Sequence, residues 1–186
     1  MHQPFNRQSI RLRGYDYSQE GLYFITINCQ DRAHRFGKIV NGQMLLNDAG
    51  RQAQICWLAI PQHFTNVVLH EFVVMPNHIH GIVEISAPTV RANHHLPNHT
   101  SANDVSPHHT RANNDLPLRG TSNTIGSMVR GFKIGVTKWF IANYNIKNIW
   151  QRNYYEHIIR DENAYHNISN YIENNPLNWE KDKFHR

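Results

Sequence analysis

Two runs of β-forming residues, Val67 to Met75 and His78 to Ile85, meet across Pro76-Asn77, and this pair limits the possible folds of the chain more than any other feature. Pro and Asn suit a tight turn, so the runs predict neighbouring antiparallel strands. Within the second run, His78 and His80 stand at i and i+2 and therefore on one face of the strand, while Ile79 points to the other face and anchors it in a core. Two imidazoles side by side can offer ring nitrogens to one divalent metal. An HxH pair on a strand is also an ordinary surface feature, since two ligands rarely hold a metal. A third ligand has to come from elsewhere in the chain.

The remaining periodicities place further elements around this pair. Leu22 to Cys29 alternates as a strand, with Tyr23, Ile25 and Ile27 on one side and Phe24 and Thr26 on the other. Phe36 to Leu46 carries Asn41-Gly42 between short apolar runs, a hairpin signal. Asn47-Asp48 supplies an N-cap for a first helix with Ala49, Ala53, Cys56, Trp57 and Ile60 at helical spacing, closed by Pro61. Ile125, Met128, Val129, Phe132, Val136, Trp139 and Phe140 mark a second helix, with Arg130, Lys133 and Lys138 off its apolar stripe. Ile149 to Arg160 reads as one more strand. Asp161 then caps a last helix with Tyr165, Ile168 and Ile172 at core positions and Pro176 as its stop. The order strand, helix, strand, strand, helix, strand, helix predicts an α+β fold: a ferredoxin-like antiparallel sheet with its helices packed on one face.

The chain's 186 residues suit one domain able to bury a core without disulfides. The mean hydropathy of -0.61 is lowered by a stretch from about Ala87 to Arg119, rich in Asn, His, Pro, Ser and Thr. Such a segment cannot bury enough surface to offset its ordering entropy. It also repeats itself, VRANHHLP from Val90 being echoed by TRANNDLP from Thr110, and is expected to be a flexible insertion in the single domain. It holds five of the 14 histidines, at spacings that fix no coordination geometry.

Two cysteines, Cys29 and Cys56, with no secretory leader and no apolar run of membrane-spanning length, predict a reducing, cytoplasmic setting and no membrane partner. A formal charge of +5 and a pI near 9.4 favour an anionic partner such as nucleic acid. Arg7, Arg11 and Arg13 with Tyr15 and Tyr17 make a basic, aromatic N-terminal segment suited to phosphate contacts and base stacking, although a solvated tail would read the same way. Arg130 and Lys133 are further candidate DNA contacts.

On the last helix, Tyr171 and Asn175 are four residues apart and so share one face beside the apolar stripe. An Asn carboxamide oxygen can ligate a hard cation, and a Tyr one turn away would lie within reach of whatever that cation binds. By spacing alone Tyr171 could equally be an interfacial aromatic, and Asn175 a helix-terminal residue.

The segment VVMPNHIHGIVEI, followed by a loop, a helix and WQRNYYEHIIRDENAYHNISNYIENNPLNW, resembles the single-tyrosine His-hydrophobic-His (HUH) transposases of the insertion-sequence-200-like family. More narrowly it is similar to the REP-associated tyrosine transposases, and the opening RQSIRLRGYDYSQEGLYFITI resembles the same group. The resemblance implies that His78 and His80 bind Mg²⁺ or Mn²⁺, that Tyr171 is the nucleophile, and that Asn175 is a polar ligand where other members often carry Gln. It also implies a single-stranded or hairpin DNA substrate, a 5′-phosphotyrosine intermediate with a free 3′-OH, and a monomer or homodimer. Tyr154 and Tyr155 are rival nucleophiles by residue type, but the motif that holds them precedes the catalytic helix of this family. Two other readings share the features: a rolling-circle replication or relaxase-type nuclease, and a domesticated DNA-binding regulator that does not cut.

Overall fold

Residues 19–86 and 124–185 are described by the computed structural model. Arg7, Arg11, Arg13 and the expected insertion from about Ala87 to Arg119 lie outside the described residues. The strands and helices are β1 (Gly21–Asn28), β2 (Gly37–Val40), β3 (Gln43–Leu46), α1 (Asp48–Leu58), α2 (Ile60–His63), β4 (Val67–Val74), β5 (His78–Ile85), α3 (Ile125–Tyr144), β6 (Tyr155–Ile159) and α4 (Glu162–Glu173). The main sheet has the order β4-β5-β1-β6, every neighbouring pair antiparallel. With α1 between β1 and β4 and α3 between β5 and β6, this is the β-α-β-β-α-β arrangement of a ferredoxin-like α+β fold. The hairpin β2-β3 forms a separate two-stranded sheet. Its turn residues Asn41 and Gly42 both have positive φ, 50° and 73°, as a two-residue primed turn requires.

The two faces of the sheet carry different helices, because side chains alternate along each strand. Tyr23, Ile25, Ile27, Ile79, Val83 and Ile85 pack with Ala53 and Trp57 of α1 and with Met128, Phe132 and Val136 of α3. Gly81 lets α1 close onto the sheet, since a Cβ there would lie 2.4 Å from the Trp57 ring. On the opposite face Ile82 and Ile159 pack with Ile172 of α4, joined by Phe24, Tyr165 and Ile168. The expectation that all helices share one face therefore holds for α1 and α3 and fails for α4. The large apolar side chains of one face are filled by α1 and α3, and the apolar stripe of α4 finds its partner in the residues of the other.

Capping follows the sequence. Asn47 accepts from the Gly50 amide at the start of α1, Asp161 accepts from the Ala164 amide at the start of α4, and Thr124 and Ser127 form a reciprocal box on α3. Pro61 opens α2 rather than ending α1, because the first turn of a helix has no use for the amide that proline lacks.

The strand expected over Ile149 to Arg160 is shorter, only Tyr155–Ile159. Upstream of it the Lys133 ammonium donates to the carbonyls of Gln151 at 2.8 Å and Asn153 at 3.1 Å, and the Trp150 indole donates to the Lys133 carbonyl. These bonds draw the segment toward α3 and leave a single bridge, Cys29 to Trp150, in place of a ladder. In β4 a register shift between Leu69 and Phe72 breaks the alternation. His70 and Glu71, consecutive in the chain, thus both reach the Tyr165 hydroxyl of α4, at 3.2 and 3.0 Å. Ser169 adds a bond to Glu71, so the first half of α4 is fastened to the bulged strand.

Candidate metal and tyrosine site

Strand β5 holds His78 and His80 on the α4 face, fully buried or nearly so, with their ring centroids 4.4 Å apart. Asn77 fixes the first ring. Its amide nitrogen donates to the carbonyls of Arg32 and Phe184 at 3.2 and 2.7 Å, which turns its oxygen toward His78 Nδ1 at 2.8 Å. Nδ1 must then carry the proton, and Nε2 keeps a bare lone pair. That Nε2 is buried and has no hydrogen-bond partner. His80 Nδ1 lies 2.8 Å from the Thr26 hydroxyl on β1, so the strand partner of His80 orients its ring in the same way.

The second half of α4 brings Tyr171 to this pair. Its hydroxyl is 3.2 Å from His80 Nε2 and 3.4 Å from an oxygen of Asp182. Phe24 of β1 stacks on the His80 ring and meets the Tyr171 ring edge-on, with centroid distances of 5.2 and 6.2 Å. Tyr171 is 41% exposed, so one side of the phenol faces a solvent-filled cleft.

Asp182 is the functional candidate that the sequence pattern did not reveal. Ligand atoms of His78, His80 and Asp182 all lie within 4.8 Å of one another. Two imidazole nitrogens and a carboxylate oxygen are a donor set that Mg²⁺ or Mn²⁺ accepts. Asp182 is positioned by bonds from the Phe184 amide, 2.7 Å, and the Asn175 side-chain nitrogen, 2.9 Å. It follows Pro176 in a short segment with no periodicity to mark it, and the only available hint was an acidic residue near the end of a basic run. Asn175, the further ligand that the family resemblance implies, is buried against Asp182, and its side-chain oxygen has no partner. The orphaned atoms, His78 Nε2 and Asn175 Oδ1, are what a cation site would leave.

Electrostatics agree with neutral ligands. Burial pulls His78 down to about 4, with Asp182 opposing and Lys183 adding to the fall. His80 is lowered by burial and by its neighbours His78 and Lys183. Both rings are therefore unprotonated near neutral pH, as metal ligands must be. Tyr171 is pushed up to about 12, first by burial and then by the Asp182 carboxylate, with Asn175 acting against them. Its proton must therefore be taken as it attacks.

The rival tyrosines separate. Tyr154 packs against the core beneath α1 and α3, whereas Tyr155 is on the cleft side, edge-on to Phe24. Arg130 is exposed on α3, across the sheet from the cleft. Lys133 is also on α3, half-buried, its ammonium held by backbone carbonyls and brought down to about 8 by burial. Among the described residues, the cations that line the cleft are Lys181 and Lys183.

A similar fold is found in the solved structure of a REP-associated tyrosine transposase bound to a REP hairpin. The similarity covers 91% of this chain and 73% of that one at a TM-score of 0.55, with 21% identity. In sequence, the chain is 49% identical over 180 residues to an uncharacterized protein of Haemophilus influenzae, covering 97% of this chain and 93% of that protein. It belongs to the same family as that protein. No protein-family model matches the chain. Among the described residues no helix is long and apolar enough to cross a membrane.

Proposed function

We propose that the protein is a DNA transposase of the REP-associated kind, cutting and rejoining single-stranded or hairpin DNA through Tyr171. One observation carries this reading: the Tyr171 hydroxyl lies 3.2 Å from His80 Nε2, beside the bare and buried Nε2 of His78. The orphaned donors and the Asp182 carboxylate fit a divalent cation, held by His78, His80 and Asp182 with Asn175 adjacent. Bound there, Mg²⁺ or Mn²⁺ would draw charge from a non-bridging phosphate oxygen.

The protein's own groups do the rest. The phenol oxygen of Tyr171 forms a bond to phosphorus as the bond to the 3′-oxygen breaks, and that oxygen leaves with a proton taken from water. The phenolic proton passes to water on the exposed side of the phenol, since His80 Nε2 and Asp182 are committed to the cation. The resulting 5′-phosphotyrosine keeps the energy of the phosphodiester, so a new 3′-OH can reverse the step without ATP. A hairpin substrate is supported by the DNA bound to the structurally similar transposase. The cleft is open enough for an unpaired strand, and the basic segment with Arg7, Arg11 and Arg13 is suited to the adjoining phosphates.

The test is a cleavage assay on labelled hairpin DNA with Mn²⁺, resolved under denaturing conditions. A covalent protein-DNA adduct that vanishes in Tyr171→Phe is expected. Tight binding without any adduct would replace the transposase with a non-cutting DNA-binding regulator.

A further inference from the structure

The cleft beside Tyr171 has a volume of about 770 Å³, far more than a phosphate and a metal ion need. One wall of it is an asparagine stripe. Asn167, Asn174 and Asn178 stand four, three and seven residues from Tyr171 along α4 and the turn that extends it, with Asn170 beside them, and all four side chains are exposed.

A face that only had to be wet would not be built this way. Asn is a weak helix former, because its side chain competes for the backbone's own hydrogen bonds, and Lys, Glu or Gln would solvate the helix at less cost in stability. Asn174 and Asn178 donate to the carbonyls of Asn170 and Asn174, at 2.8 and 3.0 Å, which leaves their oxygens as acceptors. Within the described residues, the side chains of Asn167 and Asn170 are not tied up by such bonds, and each presents a donor and an acceptor to the cleft.

Across the cleft, on the edge strand β6, the Tyr155 ring is 38% exposed. The Lys183 ammonium lies 5.8 Å from its centroid. An aromatic face, an adjacent cation and a row of carboxamides correspond to the three parts of an unpaired nucleotide: base face, phosphate and base edge.

We propose that this face reads the unpaired nucleobases next to the phosphate that Tyr171 attacks, Asn167 and Asn170 hydrogen-bonding to base edges while Tyr155 stacks on a base. The proposal rests on the single-strand cleavage reading of the site. A carboxamide pairs its donor and acceptor with N7 and the N6 amino group of adenine, so adenine is the expected base at one or both positions.

The experiment uses the full chain carrying Tyr171→Phe, with Mn²⁺, to select from hairpins whose flanking unpaired nucleotides are randomised. Adenine enrichment of about tenfold, the scale of one bidentate contact, is expected beside the scissile position. It should be lost when Asn167→Ala and Asn170→Ala are added, while binding to the hairpin persists. Alanine is the better helix former, so the loss would not be an unfolding effect. Enrichment that survives both substitutions, or the absence of enrichment in the parent, overturns the base-reading role. The adduct assay on the chain with Tyr171 intact separates the two ideas: an adduct without base preference sinks this inference alone, whereas neither adduct nor binding on any hairpin sinks the transposase reading with it.

Discussion

Tyr171 and His80, 91 positions apart in the chain, meet at 3.2 Å because Phe24 is wedged against both of their rings. The strand β1 residue thus sets the gap between the proposed nucleophile and the proposed metal ligand. Phe24→Ala should slow single-turnover adduct formation by about a hundredfold, the usual penalty for misplacing a reacting group by an ångström or so. Mn²⁺ affinity, measured by titration calorimetry, should change little, since Phe24 has no ligand atom. An unchanged adduct rate would remove the ring from the positioning of Tyr171.

Asn77 controls the His78 tautomer without belonging to the ligand set. Its oxygen accepts from the Nδ1–H of His78 because its nitrogen is occupied by two carbonyls. Replacing such an outer partner of a metal-bound histidine lowers affinity by about 10- to 100-fold. Asn77→Ala is expected to weaken Mn²⁺ binding on that scale, and Asn77→Asp, which keeps the acceptor, to weaken it less. Equal losses in the two variants would mean that the loop contacts, not the tautomer, matter.

The placement of His78, His80 and Tyr171 was legible in the sequence from period-two and helical spacing, while the roles proposed for them came only with the family resemblance. The i, i+2 rule puts His78 and His80 on one face, and the helical stripe with its Asp161 cap locates Tyr171. What periodicity cannot express is which face of a sheet a helix chooses. The apolar stripe of α4 is as compatible with one side as the other, and only the division of residues such as Ile79 from Ile82 between faces decides it. Asp182 was hidden for a related reason: it reaches the histidines through a non-repeating turn after Pro176, held by single hydrogen bonds. The shortened β6 was hidden as well, since a lysine that takes backbone carbonyls leaves the alternation of the sequence unchanged.

The buried imidazoles should make the metal-free protein sensitive to acid. In the unfolded chain His78 binds a proton near pH 6.5, and in the fold only near 4. Between those values the unfolded state holds more protons, so stability is full above pH 6.5 and declines as pH falls toward about 4. His80, shifted in the same direction, adds to the decline. Urea unfolding in the presence of a chelator should show a stability loss from pH 7 to 5 that is clearly smaller in a His78→Gln, His80→Gln variant. Parallel pH profiles for the two proteins would show that neither ring is held neutral by the fold.

Lys133 provides a test of how charge should be read from this sequence. Its place off the apolar stripe of α3 suits a DNA contact, yet its ammonium holds the Gln151 and Asn153 carbonyls on the side of the sheet away from the cleft. Hydrogen bonds to a charged group contribute roughly 1.5 to 3 kcal/mol, and losing them would also leave carbonyls near the core short of a donor. Lys133→Met, which preserves the apolar stem, should therefore lower stability by about 2 kcal/mol in urea unfolding while leaving hairpin affinity and its salt dependence unchanged. A phosphate-contacting lysine would behave in the opposite way: its loss would reduce the slope of log affinity against log salt by about one with little effect on unfolding. The two measurements on one variant decide whether the residue braces the approach to β6 or grips the substrate.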